Sequence, residues 1–167
     1  MRWLLEDQVQ DLTIGVVSIR KRLESFDPDN TTNEFVWFKR MCDAFLLISL
    51  AKVFEICKEY GEDIKQFQPE VYNNLKELRA EIERRKIYQY RSKYGAHIID
   101  SETKNPLSLK DGQRLFEGIV GRNIGEYLEF YEWVYPENDF ENKKCVMNII
   151  VKTRDYLISL GFTGARP

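Results

Sequence analysis

The chain holds a single histidine, His97, among 167 residues. A histidine metal cage is therefore excluded, and no HExxH or calcium-loop spacing stands in for one. Cysteine is equally sparse. Cys42, Cys57 and Cys145 are odd in number and form no CxxC pair, so they read as small buried hydrophobes in a reducing compartment. No metal and no other cofactor is expected. Long apolar runs are missing too. The longest, Ala44 to Ala51, contains Ser49 and falls far short of the ~20 residues of a membrane span. The N-terminal "MRWLLEDQVQDL" soon turns acidic and does not read as a signal peptide. A cytoplasmic protein without a membrane partner is expected. Neither sign of charge dominates: the formal net charge is −2. That excludes the broad basic footprint of sequence-independent nucleic-acid binding and leaves room for a local basic patch.

What is present is helical patterning. Apolar residues at 43% against 31% charged suit one globular domain, placed at residues 1–160, with a loose tail at 161–167. Five helices are predicted, and no strand. The first runs from about Trp3 to Ser25 on a stripe of Leu4, Leu5, Val9, Leu12, Val16, Ile19 and Leu23. The second opens at a capping box of Thr31 and Glu34. It is apolar on nearly every face from Val36 to Cys57, which predicts a central helix buried on most sides, and Gly61 is its expected stop. The third runs from Pro69 to Gly95 on Val71, Leu75, Leu78, Ile82 and Ile87. The fourth spans Ser108 to Pro136 on Leu115, Phe116, Ile119, Val120, Ile124, Leu128 and Tyr131. Its Gly118, Gly121 and Gly125 are expected to admit a neighbouring helix. No strand precedes them and no lysine completes a phosphate loop. The fifth covers Phe140 to Leu160. Short connections make sequential helices antiparallel neighbours. The expected fold is an all-α, single-domain antiparallel bundle.

One stretch can carry chemistry: "YQYRSKYGAHIID", residues 88–100. Arg91 precedes His97 by six residues, with Gly95 between them. A chain break at Gly95 would let both side chains converge. Arg91 supplies planar donors suited to a phosphate, and His97 titrates near neutral pH. Together they form a minimal kit for cleaving RNA without metal. The ribose 2′-OH attacks the phosphate, the histidine moves protons, and the arginine stabilises the phosphoryl oxygens. The same spacing is also met by an arginine in a surface ion pair and a histidine beside a turn. Around the pair, Arg84, Arg85, Lys86, Lys93, Tyr88, Tyr90 and Tyr94 interleave cations with rings. That pattern suits a nucleic-acid backbone and unpaired bases, and equally a solvated helix face.

"YRSKYGAHIID", at the end of a charged third helix in an all-α chain, resembles the HEPN superfamily, most closely its phage abortive-infection branch. The family signature is an arginine, four to six residues, then histidine, usually with a polar residue after the arginine. Here these are Arg91, Ser92 and His97, with Lys93 and Ala96 also fitting. The resemblance implies a HEPN-like bundle and a homodimer in which two motifs face each other. It implies a metal-independent endoribonuclease of a toxin–antitoxin, phage-defence or RNA-processing system, and hence an antitoxin protein as a partner. It also implies an acidic residue late in the second helix, carried over to Glu55. The position after the arginine departs from the pattern, being serine where active members commonly have Asn, Asp or His. The alternative is a non-catalytic, HEPN-like dimeric module binding RNA, a nucleotide or a protein partner.

Overall fold

A computed structural model describes residues 1–25, 33–95, 108–138, 141 and 144–162, and among these every regular element is a helix. In chain order they are α1 (Arg2–Glu24), α2 (Asn33–Phe67), α3 (Pro69–Arg84), α4 (Ile87–Tyr90) followed by a π-helical turn (Arg91–Gly95), α5 (Leu109–Val120), α6 (Ile124–Val134) and α7 (Val146–Ser159). The all-α bundle stands, with seven helices in place of about five among the described residues.

At 35 residues, α2 is about 52 Å long, and α1, α3 and α4 pack against it. Leu46, Leu47, Leu50, Ala51 and Val53 are fully buried there. Two ion pairs set α1 antiparallel to α2: Lys52 meets Asp11 at 3.6 Å, and Arg22 meets Glu34 at 3.7 Å. Between them, Gly15 lets the two helices close up. A Cβ there would lie 2.5 Å from Leu46 Cδ2. The α1 stripe buries Leu5, Leu12, Val16 and Ile19. Leu4 is the exception and remains exposed. Helix α3 returns antiparallel to α2, with the Tyr72 hydroxyl donating to Glu62 and Arg79 over the Phe54 ring. Helix α7 closes the far side against α1 and α3. Arg154 reaches Glu6 at 3.2 Å, and the Arg2 guanidinium donates to the Phe162 carbonyl at 2.9 Å. Gly161 and Phe162, the first residues of the expected tail, are thus held.

Three boundaries differ from expectation, each for a local reason. Gly61 lies inside α2, because the helix continues through it to Phe67 and Pro69 opens α3 instead. The expected third helix breaks at Lys86, whose φ of 61° is left-handed, so α4 sets off on a new axis. The expected fourth helix breaks at Gly121, where φ is 117° and a Cβ would lie 2.6 Å from Glu126 Cβ. Asn123 then caps α6: its carbonyl accepts from Glu126 N–H, while the Glu126 carboxylate accepts from Arg122 N–H. This break resets the helical phase. Ile124 and Leu128, in register on one continuous helix, turn outward, while Phe130, Tyr131 and Val134 turn inward. Gly118 meets nothing and Gly125 only its own cap, so neither admits a neighbouring helix. Gly15 and Gly112 do that. Helix α7 starts at Val146, capped by the Cys145 sulfur, which accepts from Asn148 N–H. The Thr31 half of the expected capping box lies outside the described residues.

The expected burial of α2 on most sides also needs correcting. Val36, Trp37, Met41, Phe45 and Ile48 are exposed, and Trp37 retains 67% of its surface. Of these, Trp37, Met41 and Ile48 share a face that the other described helices leave open.

Candidate functional site

The left-handed Lys86 swings α4 across α2, and two contacts fix it there. The Tyr88 ring stacks on Phe54 at 4.7 Å. Three residues on, the Arg91 guanidinium meets the Glu55 carboxylate at 3.3 Å. Residues 36 apart in sequence are thereby joined. Both side chains stay about 40% exposed, so their attraction is screened and contributes little stability. A half-exposed guanidinium held by one carboxylate is positioned and still open to an anion.

Arg91 begins the π-helical turn, a conformation often found at functional sites. The Ser92 hydroxyl donates to the Gln89 carbonyl at 3.1 Å. Lys93 is partly buried within the same turn. Tyr90 and Tyr94 anchor the turn on α5. Tyr90 packs against Tyr94 at 6.0 Å and Phe116 at 5.6 Å, and Gly112 leaves room for the Tyr94 ring. Burial pushes the Tyr90 hydroxyl above its ordinary pKa. His97 lies outside the described residues.

The other predicted cations are not brought to this point. Arg84 makes two hydrogen bonds to Glu81, at 2.6 and 2.7 Å, and Arg85 makes a third at 2.7 Å. Arg85 also lies 4.1 Å over the Trp133 ring of α6. It lines a separate cleft with Arg122 and Glu126. At the α3 end of the basic stretch Arg84 and Arg85 thus share the Glu81 carboxylate, and Arg85 faces α6.

Beside Glu55 opens a cleft of about 450 Å³ between α1, α2 and α4. Its walls include Gln8, Lys52, Glu55, Lys58, Tyr60 and Tyr88. Neither Gln8 nor Lys58 stands out in the sequence. Gln8 sits at the edge of the α1 apolar stripe and is buried.

A second polar cluster lies on the same central helix, where it is deeply buried. Asp43 is fully buried, pairs with Lys39 at 2.6 Å and accepts a 2.7 Å hydrogen bond from the Tyr131 hydroxyl. The Lys39 ammonium lies 3.4 Å over the Tyr127 ring. Burial raises the pKa of Asp43 against the opposing pull of Lys39, and raises that of Tyr131 strongly. The visible signal was a lone Lys39/Asp43 pair, four apart, inside an apolar helix. The cysteines are buried and free, and burial pushes the Cys57 thiol up to about 12. Among the described residues no group of three or more His, Cys, Asp or Glu side chains could hold a metal, and no helix is long and apolar enough to cross a membrane.

Neither a protein-family model nor a curated protein sequence matches the chain. Among solved structures, an integron cassette protein from the mobile metagenome of V. paracholerae is similar, with a TM-score of 0.73 and 18% identity. The match covers 94% of this chain and 93% of that one. The two share an all-α fold over nearly their whole lengths.

Proposed function

We propose that the protein is a HEPN-type endoribonuclease that cleaves RNA without metal, acting as a homodimeric toxin or phage-defence effector. One observation carries the reading. Arg91, the first residue of the motif, is held by Glu55, which also lines a cleft, and Glu55 is the acidic residue that the HEPN resemblance pairs with it. In the proposed reaction the ribose 2′-OH attacks the adjacent phosphorus and the bond to the 5′-oxygen breaks. The products are a 2′,3′-cyclic phosphate and a 5′-hydroxyl end. His97 transfers the protons and Arg91 neutralises the phosphoryl oxygens. Glu55 orients Arg91. In a homodimer a second His97 supplies the complementary acid or base.

A second reading, an RNA-binding module without cleavage, is favoured by Ser92, whose hydroxyl is engaged with the Gln89 carbonyl. Incubation of single-stranded RNA with the protein in EDTA separates the two. Cleavage ending in cyclic phosphate, lost in Arg91→Ala and His97→Ala, is the expected result. Equal background cleavage by wild type and His97→Ala would remove the nuclease reading. RNA retention that weakens in Arg91→Ala and with rising salt would leave the binding module.

A further inference from the structure

We infer that the cleft between α1, α2 and α4 is a nucleobase subsite; this deepens, and rests on, the proposed action on RNA. Gln8 supplies the first evidence. It is 97% buried, as its exposure is 3%, and its amide oxygen has no hydrogen-bond partner among the described residues. A buried acceptor without a donor costs free energy, and such groups in folded proteins are ordinarily satisfied. Gln8 also lines the cleft, and a ligand bearing an N–H group that reaches its amide oxygen would supply the missing donor. The amino groups of adenine, cytosine and guanine have that chemistry.

The remaining walls fit the rest of a nucleotide. The Tyr88 ring stacks on Phe54 at 4.7 Å, which stiffens it as a platform for a base. Tyr60 adds a second ring to the lining. Lys52 and Lys58 bring cations for a phosphate, and Glu55 offers acceptors for ribose hydroxyls. At about 450 Å³ the space lies in the range of small-molecule sites. Glu55 is shared between this cleft and the Arg91 pair. A base seated here thus places its ribose phosphate beside the proposed scissile position, and the cleft selects the nucleotide at the cut.

Adenosine 3′-monophosphate is the probe, titrated into the full chain by calorimetry and by NMR of the side-chain amides. Saturable binding that shifts the Gln8 amide resonance is expected. Gln8→Leu should weaken it roughly fivefold to tenfold, the worth of one hydrogen bond. Tyr88→Leu should weaken it at least as much, and inorganic phosphate alone should not shift the Gln8 resonance. Purine riboside 3′-monophosphate, whose base carries no N–H donor, should bind less tightly than the adenosine compound. Absence of saturation at millimolar nucleotide, or equal affinity in wild type and a folded Gln8→Leu, overturns the subsite. The Gln8 amide shift in wild type decides the matter if Gln8→Leu fails to fold. The RNA assay distinguishes this failure from that of the nuclease reading. Binding without cleavage removes catalysis and keeps the subsite, whereas cleavage indifferent to Gln8→Leu does the reverse.

Discussion

Asp43 is a carboxylate with no exposure, and its charge is compensated by Lys39 and the Tyr131 hydroxyl. Burial is the larger influence and raises its pKa. The folded state therefore holds the Asp43 proton more tightly than the unfolded chain does. The stability linked to that proton is fully present below the ordinary carboxylate value and is lost as pH rises through the raised one. The difference in unfolding free energy between wild type and Asp43→Asn should accordingly fall as pH rises through the weakly acidic range; urea unfolding at a series of pH values measures it. Lys39→Met leaves the buried carboxylate without its cation and should cost about 3 kcal/mol at pH 7, and less in acid. The Arg91–Glu55 pair is different in kind. Being half exposed, it should yield less than about 1 kcal/mol on Glu55→Gln, while RNA cleavage falls by an order of magnitude or more under the proposed function.

Elements were legible where one period ran undisturbed. The α1 stripe and the burial of Leu75, Leu78 and Ile82 on α3 follow from three- and four-residue spacing alone. What periodicity could not show is where the phase resets. Lys86 carries no breaker signature, yet its backbone is left-handed. Gly121 does carry one, yet the apolar residues on either side happen to fit a single helix. At the site, the Arg91–Glu55 meeting was suggested by the resemblance, whereas Gln8 and Asp43 look like ordinary helix residues until burial is known. Gly121→Ala forces a side chain into positive φ and against Glu126. It should destabilise the protein by about 1–3 kcal/mol, read from thermal unfolding.

For the whole molecule, α2 has an apolar face that the other described helices leave open. Trp37 and Glu55 are 18 residues apart, five α-helical turns, and so share one side of the rod. A second copy seated along Trp37, Met41 and Ile48 lies on the side of the helix that carries the candidate site. Trp37→Glu should therefore convert a dimer to monomer in sedimentation analysis without lowering the thermal stability of the protomer; a strictly monomeric wild type would sink the homodimer. The contact between α1 and α7 has a different consequence, in time. These helices are partners, yet about 120 residues separate the end of one from the start of the other. During synthesis at about 5–20 residues per second, α1 can pair with α2 early, but its other flank must wait on the order of ten seconds for α7 to emerge. The nascent α1–α2–α3 unit spends that interval with the α7-facing flank of α1 uncovered, a window in which a chaperone or a neighbouring nascent copy can engage it.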